Sequence, residues 1–252
     1  MVDHGKMIFE LARKINLFHT NANGLATMTA LCLLAQESAG DHAELLGFGM
    51  ERLAEQKIAW VLREQAMHVF RYPALGEELR IFTWPTRAER ILCHRDYRIL
   101  DFEGGLVALG TSAWFGLDLE ARRPRKADSF FCPQWELVPK PAFDQPLPDL
   151  EMSSDPCQAE ERTVRASDVD ALGHMNNLRY LDWIEDHLAT FGLDGSWVRF
   201  LRIRHAREVT ASDAVQVRHA RRGENGDVLL QMQSVEHGRE VCLARVILAD
   251  QD

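Results

Sequence analysis

Two stretches of this 252-residue chain can be laid over one another without a gap. IAWVLREQAMHVFRYPALGEELRIFTW starts at Ile58 and GSWVRFLRIRHAREVTASDAVQVRHA at Gly195, so that Trp60 meets Trp197, Val61 meets Val198 and His68 meets His205. Each stretch passes through a turn into a strand of period two. A helical stretch precedes each, and two more strand-like runs follow: HRDYRIL and GLVALGTSAWFGL in the first half, DVLLQMQSVE and REVCLARVILA in the second. The same order of elements met twice points to duplication. Each half is one mostly buried helix followed by several turn-linked strands, without βαβ alternation. The expected class is therefore α+β, an antiparallel sheet curled around a helix in each half, and the whole an internal pseudo-dimer.

A composition shift separates the halves. Residues 133–157 hold Pro133, Pro139, Pro141, Pro146, Pro148 and Pro156, six of the nine prolines. Proline removes a backbone donor and pushes its neighbour toward extended conformations, so this stretch reads as a linker. The expected organisation is a domain over 1–132, the linker over 133–157 and a domain over 158–252.

The two helices differ. Leu25, Met28, Leu31, Cys32, Leu34 and Ala35 leave almost no polar face before Gln36, as in a helix buried nearly all round. In the second half Leu178, Leu181, Ile184 and Leu188 recur near helical spacing with Tyr180 and Trp183 alongside, and Asn176 or Asn177 suits the cap.

Several functions are disfavoured. The formal net charge of −9 speaks against broad nucleic-acid binding, which rests on neutralising phosphates. Cys32, Cys93, Cys132, Cys157 and Cys242 are odd in number and form no CxxC pair, which fits neither a disulfide framework nor a zinc site. A reducing cytoplasm is the expected compartment. No metal or cofactor is expected, because the ten histidines show no ligand spacing. The motifs GxGxxG, GxxxxGKS/T, HExxH and GxSxG do not occur. The longest run free of Asp, Glu, Lys and Arg, Ile15 to Gln36, carries His19, Asn21, Asn23 and three threonines, so no membrane span is expected.

One segment carries chemistry. SDVDALGHMNNLRYL, from Ser167, packs Asp168, Asp170, His174, Asn176 and Asn177 into ten residues just before a helix. A helix start offers unpaired N–H groups and the positive end of a dipole, which can hold the oxygen of a polarised carbonyl. A carboxylate beside it can orient or deprotonate water, a constellation suited to acyl transfer to water. The bland readings stand beside this one: aspartates in turns before helices are common, His174 suits a core or cap histidine, and Asn176 suits a helix cap. Asp168 and Asn177 are read as structural.

SDVDALGHMNNLRYLDWIED resembles the signature of hot-dog-fold thioesterases, D-x-D-x-x-G-H-x-N-N-x-x-Y. LLAQESAGDHAELLG, FRYPALGEELRIFTWP, SAWFGLDLEARRPRK and RHAREVTASDAVQV extend the likeness over roughly residues 7–250. Together they resemble the bacterial and plant acyl-acyl-carrier-protein thioesterases, which carry two hot-dog repeats. The resemblance implies two tandem hot-dog domains and hydrolysis of a fatty acyl thioester in fatty acid biosynthesis, with acyl carrier protein as carrier. It matches Asp170, His174 and Glu208 to the catalytic groups and Asn176 to a substrate-binding amide. Two positions depart: Leu172 stands where the plant enzymes have a catalytic asparagine, and Val209 where they have a cysteine. The alternatives are an acyl-CoA thioesterase and a non-catalytic acyl-binding protein.

In the first half the corresponding helix entry, HTNANGLATM, holds no carboxylate, so one of two pseudo-equivalent sites is expected to be catalytic. Met28, Leu31 and Leu34 are the candidates there for shaping an acyl channel. The basic run Arg122, Arg123, Arg125, Lys126 suits docking of an acidic carrier protein, or is simply a solvated loop. Hot-dog units pair their sheets, and an internal pair satisfies that need in a monomer or within a homodimer.

Overall fold

The computed structural model describes residues 7–130, 137–152, 158–193, 198–222 and 226–248. The chain divides into two compact units, Met1–Pro146 and Leu147–Asp252.

The first unit runs β1 (Phe9–Lys14), α1 (Met28–Leu45), α2 (Met50–Glu55), β2 (Ile58–Val69), β3 (Glu78–Glu89), β4 (Leu92–Asp101), β5 (Leu106–Asp118) and the short β6 (Arg123–Pro124). Its strands pair antiparallel in the order β1-β3-β4-β5-β2, with β6 beside β5. Helix α1 begins three residues later than the apolar run suggests. Thr27 is extended and its hydroxyl accepts from Ala30 N–H at 3.1 Å, while Leu25 stays outside the helix in a bridge with Ala74. The first turns are buried on nearly all sides. After Gln36, Glu37, Gly40 and Asp41 face solvent while Ser38, Ala39, His42 and Ala43 stay inside. Leu31, Leu79, Ile81, Ile99 and Val107, all fully buried, form the centre of this core.

The second unit repeats the plan. It runs β7 (Gln158–Thr163), α3 (Arg179–Thr190), β8 (Val198–His205), β9 (Ala214–Arg222), β10 (Asp227–Ser234) and β11 (Glu240–Leu248). The strand order is β7-β9-β10-β11-β8, the first unit's order over again. Register agrees as well. Val61 lies opposite Phe115 and His68 opposite Leu109, as Val198 lies opposite Leu248 and His205 opposite Cys242. Trp197, which the alignment pairs with Trp60, is outside the described residues. Helix α3 is amphipathic and buries Tyr180, Leu181, Trp183, Ile184, His187 and Leu188.

The described part of the proline-rich stretch is tied down. Val138 N–H donates to Pro85 O (3.0 Å), Trp84 Nε1–H to Lys140 O (3.0 Å) and Ala142 N–H to Asp96 Oδ2 (2.6 Å). In the second unit Arg202 donates to Pro148 O, and Arg245 to Asp149 O at 3.2 Å. With its donors removed by proline, this segment's carbonyls and few remaining N–H groups find partners on the sheets. Among the described residues no helix is long and apolar enough to cross a membrane.

The second core holds a polar chain. His187 is fully buried; its Nδ1 lies 2.7 Å from Glu160 Oε1 and its Nε2 lies 2.8 Å from His219 Nδ1. All three groups are satisfied when both imidazoles are neutral and Glu160 is ionised. Burial pushes His187 down from its ordinary value despite Glu160, and burial with the neighbouring His187 pushes His219 down. The folded state therefore refuses protons that the unfolded chain accepts below about pH 6.5. Stability of this unit is expected to fall as pH drops below that value. Urea midpoints taken between pH 7.5 and 5.5 should decline, and His219→Gln should flatten the decline. An equal slope in that variant would remove the pair as its source.

Candidate active site

The loop between β7 and α3 is built from local turn chemistry. Ala166–Asp168 form a single 3-10 turn, with Asp168 Oδ2 accepting from Arg165 N–H at 2.9 Å. Asp168 O accepts from Asn176 N–H at 2.8 Å, so Asp168 is a structural turn residue. The chain then reverses through Asp170–Gly173. Asp170 N–H donates to His174 O, Gly173 N–H donates to Asp170 O, both at 3.0 Å, and Val169 bridges Met175. Gly173 has φ +84°, a left-handed conformation that side chains rarely adopt, which explains glycine before the histidine.

This turn aims the side chains. Asp170 Oδ1 accepts from Leu172 N–H at 2.9 Å, and Asn176 Nδ2 lies 3.4 Å from Asp170 Oδ2. His174 Nε2 lies 3.1 Å from Glu208 Oε2. Glu208 arrives from far along the chain because Met175 N–H donates to Val209 O at 2.8 Å, which lays the 206–209 segment beside the loop. Asp170, His174 and Asn176 are half-buried and Glu208 is exposed, so the cluster is accessible to a substrate.

Three expectations change. Helix α3 starts at Arg179 with Leu178 as its cap, so neither Asn176 nor Asn177 caps it. Asn176 Oδ1 instead accepts from Leu178 N–H at 2.9 Å, in a turn just before the helix. The N–H groups of Met175 and Asn176 are spent on Val209 O and Asp168 O, so the donors left for a carbonyl oxygen are those of His174 and Asn177, which pair with no described residue. Leu172, in the place of a catalytic asparagine, is 52% exposed; what it supplies is its backbone N–H to Asp170.

The first unit contains the same loop. Thr20 bridges Ala26. Asn21 N–H donates to Leu25 O (2.8 Å), Gly24 N–H to Asn21 O (3.0 Å), Thr27 N–H to His19 O (3.0 Å) and Ala26 N–H to Pro73 O (2.8 Å). Every one of these bonds has its counterpart around Asp170. Asn21, Leu25, Thr27 and Tyr72 thus stand where the second unit has Asp170, His174, Asn176 and Glu208. The turn is duplicated and its ionisable groups are not. Aligning strands alone does not show this, because the connection between loop and strands differs in length in the two halves.

Other expected features fall as follows. Met28, Leu31 and Leu34 are at most 1% exposed and pack in the core. A cavity in the first unit is lined by α1 residues further along the helix, Gln36, Ala39, Gly40 and Ala43. In the basic run Arg122, Arg123 and Lys126 are exposed, whereas Arg125 is half-buried with Nε 3.2 Å from Asp118 Oδ2. Among the described residues no group of three His, Cys, Asp or Glu side chains is placed to hold a metal ion.

Two family models match nearly the whole chain: the acyl-ACP thioesterase N-terminal domain over residues 6–132 and the acyl-ACP thioesterase C-terminal domain over residues 153–249. The chain belongs to the acyl-ACP thioesterase family. Among family relatives, an oleoyl-acyl carrier protein thioesterase of Coriandrum sativum is 25% identical over 221 residues, covering 80% of this chain and 59% of the relative. An Arabidopsis thaliana counterpart is also 25% identical, with 80% and 60% covered. The chain spans about three fifths of the length of the curated relatives it matches. Among solved structures, an acyl-ACP thioesterase from Bacteroides thetaiotaomicron superposes with a TM-score of 0.84 at 23% identity, over 98% of this chain and 100% of that one. The 12:0-ACP thioesterase from Umbellularia californica superposes with a TM-score of 0.81 at 20% identity, over 98% of both chains. These likenesses establish the α+β fold of two tandem hot-dog domains that the sequence suggests.

Proposed function

We propose that the chain hydrolyses fatty acyl thioesters, releasing the free fatty acid from acyl carrier protein. The observation that carries this reading is the asymmetry of the duplicated loop. Two units keep one turn geometry, and only the second arms it with Asp170, His174 and Glu208.

In this mechanism the thioester carbonyl oxygen is polarised by N–H groups of the loop that leads into α3, those of His174 and Asn177. Asp170 removes a proton from water, and the water oxygen attacks the carbonyl carbon. The tetrahedral intermediate collapses, the C–S bond breaks and the thiol leaves protonated. Asp170 Oδ1 is held by Leu172 N–H, so its second oxygen is the one that meets water. Asn176 acts as a positioning residue for that oxygen. His174, paired with Glu208, orients the water or protonates the departing sulfur.

A ladder of acyl carrier protein thioesters and matching CoA thioesters tests the reading. Carrier-selective release of fatty acid supports it, equal or better CoA turnover moves the activity to acyl-CoA hydrolysis, and no release from either series favours a binding protein.

The exposed basic groups give a separate expectation. Arg123→Glu with Lys126→Glu should raise KM for carrier-bound substrate on the order of 10-fold, as loss of electrostatic steering does. Turnover of a small neutral thioester should stay unchanged. Equal losses on both substrates would discredit docking at this run. Arg125 is a poor target because it already serves Asp118.

A further inference from the structure

The first unit buries a positive charge that no described carboxylate balances. Arg95 on β4 is 7% exposed. Its Nη1 donates to His42 Nδ1 at 3.0 Å and Thr83 Oγ1 at 3.2 Å, both uncharged acceptors. Its Nε and Nη2 donate to no described residue, and no described carboxylate forms an ion pair with it. Asp96 is next along the strand but turns to the other face, where Thr111 Oγ1 and Ala142 N–H hold it, each at 2.6 Å. Burial pushes the nearby Cys93 thiol up to about 12, so it supplies no negative charge. Burial also pulls the Arg95 guanidinium below its ordinary value, the response of a charge without a counter-ion.

Arg95 lines a cavity of about 220 Å³ whose other walls are largely apolar, with Phe48, Trp60 and Trp114 among them. A buried charge is retained at a cost unless something pairs with it. A guanidinium with two free donor positions at the wall of an apolar cavity matches a planar oxyanion carried on a hydrocarbon chain.

We propose that this cavity binds an alkyl chain ending in a carboxylate, with the carboxylate on Arg95 Nε and Nη2 and the chain against Phe48, Trp60 and Trp114. At roughly 30 Å³ per methylene, comparable to one liquid water, the space holds about seven carbons. The carboxylate has two possible sources: a free fatty acid, or the far end of an acyl group that carries a second carboxyl. The inference rests on the proposed function only for its choice of an alkyl chain.

The test is direct binding of sodium octanoate by calorimetry, with tryptophan fluorescence reporting on Trp60 and Trp114. Wild type should bind octanoate about 10–100-fold tighter than octanol, the ratio expected for hydrogen bonds to a charged group. Arg95→Met should lose that preference while melting no lower than wild type, because it removes an unbalanced charge. A purely structural Arg95 would instead lower the melting temperature and leave binding unmoved. Gly40→Leu keeps Arg95 and narrows the mouth of the space, since Gly40 lines the cavity at its exposed edge and a Cβ there meets nothing within 4 Å. It should weaken octanoate on the order of 10-fold without loss of stability. Asp170→Asn should bind octanoate like wild type, so a failure of the catalytic reading and a failure of this one are separable. Octanol binding as tightly as octanoate, or Arg95→Met binding octanoate within twofold of wild type, overturns the proposal. Preferential hydrolysis of an octanedioyl over an octanoyl thioester, lost in Arg95→Met, identifies the acyl end as the source. Without that preference, octanoate binding identifies free acid.

Discussion

Asp170→Asn is expected to lower kcat for acyl thioester hydrolysis by about 10²–10⁴-fold, the usual contribution of a positioned general base. KM should change little. Asparagine keeps an oxygen for Leu172 N–H, so the turn that closes at 3.0 Å between Asp170 N–H and His174 O survives the change. What disappears is the basic oxygen facing water. The measurement is free fatty acid released per enzyme under saturating substrate, with melting temperature recorded alongside. His174→Ala and Glu208→Gln should each cost less than Asp170→Asn, and the double variant should cost about as much as either alone, because the two act as a pair. Asn21→Asp in the first unit should change turnover by less than about twofold, since Leu25 and Tyr72 offer it no imidazole or carboxylate. Retention of more than about a tenth of wild-type kcat by Asp170→Asn would remove Asp170 from the role of base.

Leu188→Ala is expected to destabilise the second unit by about 2–5 kcal/mol. Leu188 is fully buried on α3, so its truncation removes apolar contacts and leaves a cavity that close-packed neighbours cannot fill. Phe18→Ala is the control. Phe18 is 97% exposed, and its loss should stay within about 0.5 kcal/mol. Urea unfolding followed by intrinsic fluorescence measures both. A small effect at Leu188 would mean that α3 is not held by its apolar face.

Leu188 and Asp170 are legible along the chain in a way that Glu208 is not. Period-two strands, an apolar helix and an amphipathic one are patterns of near neighbours. The turn at Asp170 is equally legible, because Asp, Gly and Asn at close spacing specify its geometry by local hydrogen bonds. Glu208, by contrast, is an ordinary charge in the loop between β8 and β9, and only the resemblance to a thioesterase family selects it. The physical reason for its place is bonding between distant segments: Met175 N–H to Val209 O, and Ala206 and Arg207 N–H to Val241 O. Helix boundaries move for a local cause that periodicity does not register, namely Thr27 capping α1 and Asn176 spending its side chain one turn before α3.

From the sequence alone come the duplication, the fold class and the loop proposed to bear the chemistry, since each is written in residues close together along the chain. The tertiary structure alone decides which distant groups meet: His174 with Glu208, the unarmed counterpart formed by Asn21, Leu25 and Tyr72, and Arg95 against His42 with no described carboxylate beside it. Such meetings depend on strand register and on which face of the sheet a helix covers, and a shift of one residue in either would exchange every partner.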